Sequence, residues 1–383
     1  MQIQFSRIFI FLVGLAGLCF STPLLDFQHT ETGEQDTAWY NFEFSLSEDG
    51  SRLIMNLEST LDAGSLDVLI TGAGYDVIGH YSNAGVFSHQ NVIFGPLSDS
   101  EPVLIRIAAL YAIGDWHISF TEFSPRHSVT AVLVSGILVI LIVIASVVLW
   151  KARSHSAMKW VLIGGLVWII GVALKFLCAY TLNNPILSWF ESTLGHTGYL
   201  LVGSMYIGSL TGIFEIGITL LFALGIKSMY ESPGRALGVG LGAGGLEAAL
   251  IGLSQIGSYA MVMGGLPGND QVLVALAKAS SMTPLFVLVA PVERMIAMLC
   301  HISSRMLVLF AVATKRHRFF WYAFFIMTAL DAVAGYFHLA ELLNRISMWW
   351  IELLIVPFGL ISILVIQWCI THWPENEKKM SAT

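Results

Sequence analysis

The chain has 383 residues, of which 56% are hydrophobic and only 12% are charged, with a net charge of −7. A soluble domain carries roughly twice that share of charge, so a wholly soluble globule is excluded and a bilayer is the expected solvent for much of the chain. The charge is also divided: residues 22–125 hold 15 Asp/Glu against Arg52 and Arg106, which argues against nucleic acid or anionic lipid as that part's partner, whereas residues 126–383 hold 16 Lys/Arg against 11 Asp/Glu.

Residues 1–21 read as a signal peptide. Arg7 gives a short basic start, Ile8 to Phe20 an apolar run too short for a comfortable span, and Cys19 and Ser21 the small residues expected before cleavage. An uncleaved anchor is the alternative.

Residues 22–126 read as a small acidic β-sandwich on the extracytoplasmic side. Tyr40, Phe42, Phe44 and Leu46 alternate with polar residues, as do Leu53, Met55 and Leu57, then Leu66, Val68 and Ile70, then Trp116, Ile118 and Phe120. A period of two puts one face of a strand in a core and the other in water. Turn signals separate the runs at Glu48-Asp49-Gly50, Asp62-Ala63-Gly64, Gly72-Ala73-Gly74 and Gly114-Asp115. The four cysteines, Cys19, Cys178, Cys300 and Cys369, leave this domain without a disulfide, and no CxxC pair exists. Its histidines have no metal-like spacing.

Residues 127–374 read as a multi-pass α-helical bundle. Seven spans fall near 128–150, 160–181, 198–225, 236–263, 284–314, 319–342 and 348–372, each long enough to cross roughly 30 Å of hydrocarbon. Residues 264–283 read as a short interfacial or re-entrant helix, and 375–383 as a cytoplasmic tail. With the N-terminal domain outside, ten Lys/Arg fall at cytoplasmic ends against Arg126, Lys278 and Arg345 outside.

An ionisable side chain inside a bilayer costs at least a few kcal/mol, so each needs a reason. Counted back from the cytoplasmic ends, Glu215, Glu247, His301 and Asp331 lie about 15–20 Å deep, in one layer drawn from four helices. Three carboxylates and an imidazole suit a divalent metal or a proton relay. Glu293, Ala297 and His301 share a helical face, and Arg294 follows Glu293. That pair reads equally as a structural ion pair between helices. Lys175 is free to pair with a carboxylate, whereas His338, Glu341 and Glu352 fall near the outer end. The glycines from Gly238 to Gly245 read as a packing stripe. No GxSxG or HExxH motif is present.

These spans resemble the YhfC-type intramembrane metalloproteases, relatives of the CAAX prenyl proteases. The ERxxAxxxH motif of that family is intact from Glu293-Arg294 through Ala297 to His301. Its EExxR motif survives as Glu215, with Ile216 and Thr219 in place of the second Glu and the Arg. Its GHGGxEA motif reads Gly242-Ala243-Gly244-Gly245-Leu246-Glu247-Ala248, and its HxxxD motif keeps Asp331 with Met327 for the His. The resemblance implies zinc, with Glu247, His301 and Asp331 as ligands, Glu215 as general base, and Glu293 and Arg294 beside them. Two imidazoles and one glutamate are missing, which leaves a metal-free member open. The expected function is that of an intramembrane-metalloprotease-like protein, a pseudoprotease binding a membrane client. The alternatives are an active metallopeptidase on Glu215, Glu247, His301 and Asp331, or a proton-coupled transporter or sensor. Expected partners are membrane lipid and a client or peptide substrate, and no nucleic acid.

Overall fold

The computed structural model describes residues 22–32, 37–46, 51–72, 75–82, 84–97, 102–123, 125–342 and 346–374. The expected signal peptide and cytoplasmic tail lie outside the described residues. The chain divides into two units, Met1–Leu133 with Ser258–Val287, and Val134–Gly257 with Leu288–Thr383.

Six strands make the sheet of the first unit: β1 (Thr22–Thr32), β2 (Thr37–Phe44), β3 (Ser51–Gly72), β4 (Tyr75–Ser82), β5 (Gly85–Leu97) and β6 (Val103–Phe123). β3 and β6 pair antiparallel from Arg52 opposite Phe123 to Thr71 opposite Leu104. One half of this long ribbon is flanked by β1 and β5, the other by β2 and β4. The inward positions change parity along β3, from Leu53, Met55, Leu57 and Leu61 to Leu66, Val68 and Ile70. Register shifts between Leu61 and Ser65 account for the change, because one extra residue moves the following side chains to the opposite face. Gly64 sits there at φ +80°, where a Cβ would lie 2.3 Å from the Tyr111 backbone. Both halves feed one core that includes Leu53, Ile70, Ile105, Trp116 and Phe120.

The expected sandwich is therefore one hydrogen-bonded sheet folded on two shared strands. Asp62-Ala63-Gly64 and Gly114-Asp115, expected as turns between strands, are bends inside β3 and β6. Glycine supplies the positive φ of a bulge there without reversing the chain.

The helices are α1 (Pro125–Ser154), α2 (Lys159–Thr211), a π turn (Gly212–Ile216) continuing into α3 (Gly217–Gly225), α4 (Pro233–Met263), α5 (Asn269–Met282), α6 (Val289–Thr314), α7 (Arg318–Leu339) and α8 (Trp349–Thr371). The stretch expected as interfacial or re-entrant holds α5, and its Leu273 and Ala277 pack with Ile54, Phe123 and Val129 of the first unit. Among the described residues six helical stretches are long and apolar enough to cross a membrane. One of them, Lys159–Gly225, has 67 residues. As a single rod it would measure about 100 Å, three times the hydrocarbon thickness. It breaks at Gly195, whose φ of 68° and ψ of 176° are not helical. Its two arms lie side by side and antiparallel: Lys175 meets Glu215, Asn183 meets Tyr206, and Leu187 lies beside Gly203. That brings the crossings to seven, as expected.

Glycines set the helix approaches. A Cβ on Gly164 would lie 1.9 Å from the Val239 carbonyl oxygen, and one on Gly242 as close to that of Val161, so α2 and α4 meet backbone to backbone. The same holds for α4 against α6, where a Cβ on Gly240 would lie 2.6 Å from Ile302 Cα. Lipid gives helices no hydrophobic reason to associate, so close van der Waals contact has to hold them.

Candidate functional site

A cavity of about 330 Å³ opens in the second unit. Its polar wall is Lys175, Glu215, Glu247, Glu293, Arg294, His301 and Asp331; Trp168, Phe176 and Leu250 belong to its apolar wall. All six residues singled out from the sequence as site residues line it. Local structure explains how they arrive. On α6, Glu293, Ala297 and His301 recur every four residues, and Arg305 continues the row. Glu215 lies in the π turn, where the Gly217 N–H bonds back to the Gly212 carbonyl. Thr219 Oγ1 donates to the Glu215 carbonyl at 2.7 Å. Such wide turns concentrate at functional sites. Glu247 rides on α4, whose Gly244 packs against His301: a Cβ there would lie 2.8 Å from His301 Cβ.

The polar wall resolves into two ion-paired groups. In the first, Glu215 is held at both oxygens, by Lys175 Nζ at 2.7 Å and by Arg305 Nη2 at 2.8 Å. Lys175 Nζ also donates to Thr211 Oγ1 at 3.1 Å and stands 3.7 Å from Asp331 Oδ2, and Thr211 donates to Asp331. In the second, Glu247 accepts from Arg294 Nη1 at 2.7 Å and meets His301 Nε2 at 2.8 Å. Arg294 also pairs with its neighbour Glu293. Four carboxylates thus face three cations and one imidazole. In low dielectric each such contact is strong, and each unpaired charge would be costly.

Three residues escaped the sequence reading as parts of this site. Arg305 was visible as the next residue of the Glu293–Ala297–His301 row. Thr211 carried no signal, because a lone threonine in an apolar span is common. Glu352, near the start of α8, is only 4% exposed, and its Oε2 has no hydrogen-bond partner among the described residues.

Residues 138–355 match the family model described as YhfC intramembrane metalloprotease. The chain belongs to the YhfC family. None of the curated proteins matches it. The YhfC match spans more than half of the chain and contains every residue of the cavity wall named above.

The name YhfC intramembrane metalloprotease implies a metal, and the residues present do not fit one. Catalytic zinc takes three protein ligands and an open position. Among the described residues no three His, Cys, Asp or Glu side chains are gathered to hold an ion. The expected trio is parted: Glu247 and His301 meet each other, whereas Asp331 is drawn to Thr211 and Lys175. Glu215, expected as general base, is enclosed by two cations. A dication placed here would stand among Lys175, Arg294 and Arg305, which already neutralise the carboxylates it needs.

Proposed function

We propose that this chain is a YhfC family member that does not hydrolyse peptide bonds and that uses its cavity to bind a membrane-embedded client. One observation carries the reading: both oxygens of Glu215 are taken by Lys175 and Arg305. A general base must reach a water and accept its proton, and a carboxylate clamped between an ammonium and a guanidinium is poor at both. Client binding is supported by the exposed Phe176 and Leu250 among the lining residues, an apolar approach to a polar interior.

The experiment is the metal content of the purified full chain, with Glu215→Ala and His301→Ala beside it. Far less than one zinc per folded chain in all three supports the proposal. One zinc per wild-type chain, lost in both variants, overturns it and restores the metallopeptidase.

We further propose that residues 1–21 are removed as a signal peptide, that residues 22–126 form the extracytoplasmic domain, that residues 127–374 span the membrane, and that residues 375–383 are cytoplasmic. The bias of positive charge supports this orientation. A cysteine introduced at Ser65 should react with an impermeant maleimide on intact cells or spheroplasts. Reaction only after lysis reverses the orientation.

A further inference from the structure

A second cavity, of about 640 Å³, lies away from the ion-paired one. It is a groove between α7 and α8, walled by Phe319, Tyr322 and Phe325 on one side and by Ile361, Leu364 and Trp368 on the other. Leu307 of α6 forms its floor and is 3% exposed. The wall residues lie in about the first two turns of α7 and the last three of α8, so the groove is about 10 Å long and ends where α6 turns into α7.

That end is cationic. The turn carries Lys315, Arg316 and Arg318, all exposed. None of the three forms an ion pair among the described residues. The Arg318 guanidinium lies 4.9 Å over the Phe319 ring, and the His372 ring is stacked on Trp368 at 4.7 Å. A cation and an imidazole therefore rest directly on the two aromatic side chains that close the groove. Past His372, the next acidic residues in the sequence, Glu375 and Glu377, lie outside the described residues.

We propose that this groove is a binding site for an anionic phospholipid, with the first methylenes of an acyl chain between α7 and α8 and the phosphate on Arg316 and Arg318. An acyl chain gains little by leaving bulk lipid for an apolar groove, so the headgroup must supply the selectivity. Guanidinium groups bind phosphate through paired hydrogen bonds, and basic pockets at helix ends select anionic headgroups. A transmembrane partner helix suits the groove less well. Helix docking in lipid favours small residues, and every residue lining this groove is bulky, four of them aromatic.

The test is native mass spectrometry of the full chain in non-ionic detergent with equal dioleoyl phosphatidylglycerol and dioleoyl phosphatidylcholine. Retention of phosphatidylglycerol should exceed that of phosphatidylcholine several-fold. Arg316→Gln with Arg318→Gln should bring the two to near parity, and these exposed changes leave the fold intact. Ile361→Trp, which fills the groove, should lower phosphatidylglycerol retention with both arginines present. Glycerol phosphate, a headgroup without chains, should fail to displace the lipid; full displacement would remove the groove from the proposal. Equal retention of both lipids by the wild type, or a preference that survives the arginine changes, overturns it. So does a photo-crosslinker at Leu364 that captures a polypeptide in membranes rather than lipid.

Discussion

Arg305 Nη2 lies 2.8 Å from Glu215 Oε2, and the two side chains are 1% and 3% exposed. The contact ties α6 to the π turn, and with Lys175 it makes a three-helix junction of charge inside the bundle. Removing one member of a buried pair strands the other, which costs about 3–5 kcal/mol, whereas removing both is far milder. Arg305→Met should therefore lower stability by about 3 kcal/mol or more, and adding Glu215→Gln should return part of that loss. Unfolding of the purified protein in detergent measures both. Strictly additive losses would mean that the pair carries no coupling.

The same cations bear on metal affinity. Restoring the family's imidazoles through Ala243→His and Met327→His should not be enough to capture zinc while Lys175 holds Glu215 and approaches Asp331. Adding Lys175→Met should raise bound zinc from trace to a substantial fraction of one per chain, by elemental analysis. Equal zinc with and without Lys175 would show that its charge is not the obstacle.

Glycine packing gives a prediction with an internal control. Gly240→Ala places a methyl 2.6 Å from the Ile302 backbone, so α4 and α6 must part. The expected cost is about 1–3 kcal/mol. Gly245→Ala, whose methyl would meet only Val143 at 3.5 Å, should fall within about 0.5 kcal/mol of wild type. Comparable melting temperatures for the two variants would refute the close crossing of α4 and α6.

How legible this was in the sequence depended on which physics was involved. Lipid forces apolar runs and penalises every charge, so the spans could be read by length and Glu215, Glu247, His301 and Asp331 by depth, whereas Glu293 and Arg294 came from the face and motif they share with His301. Pairing could not. Whether Asp331 turns to a metal, to His301 or to Thr211 depends on distances between helices that are far apart in the chain. Nor did the glycine-marked bends of β3 and β6 declare themselves, because a bulge and a turn ask for the same residue. Arg305 lay in plain view four residues past His301, but a row of like spacing says only that residues share a face, not what they touch.

In the sheet, Gly64→Ala tests the bend. The residue combines φ +80° with a Cβ position 2.3 Å from the Tyr111 backbone, so strain and collision add. A loss of about 2 kcal/mol or more is expected. Protease sensitivity of the sheet domain should rise while the helical unit stays intact in detergent. Unchanged protection would place the bend elsewhere.

The wide turn at Gly212–Ile216 has a consequence for how this protein tolerates change. An α-helix advances about 100° per residue, and a five-residue backward bond accommodates one residue more than the regular winding. Positions counted forward from Thr211 and backward from Thr219 are therefore out of step by one. Losing a single residue between 212 and 216 would therefore let the helix wind evenly with its two flanks near their present orientation, whereas the same loss in a regular turn would swing one flank by about 100° relative to the other. Thr211 and Glu215, four residues apart and on one face, both reach Lys175. The segment should thus tolerate the loss of one residue better than the regular turns on either side, a pattern that a scan of one-residue deletions along this helix would expose as a local dip in the stability cost at the π turn.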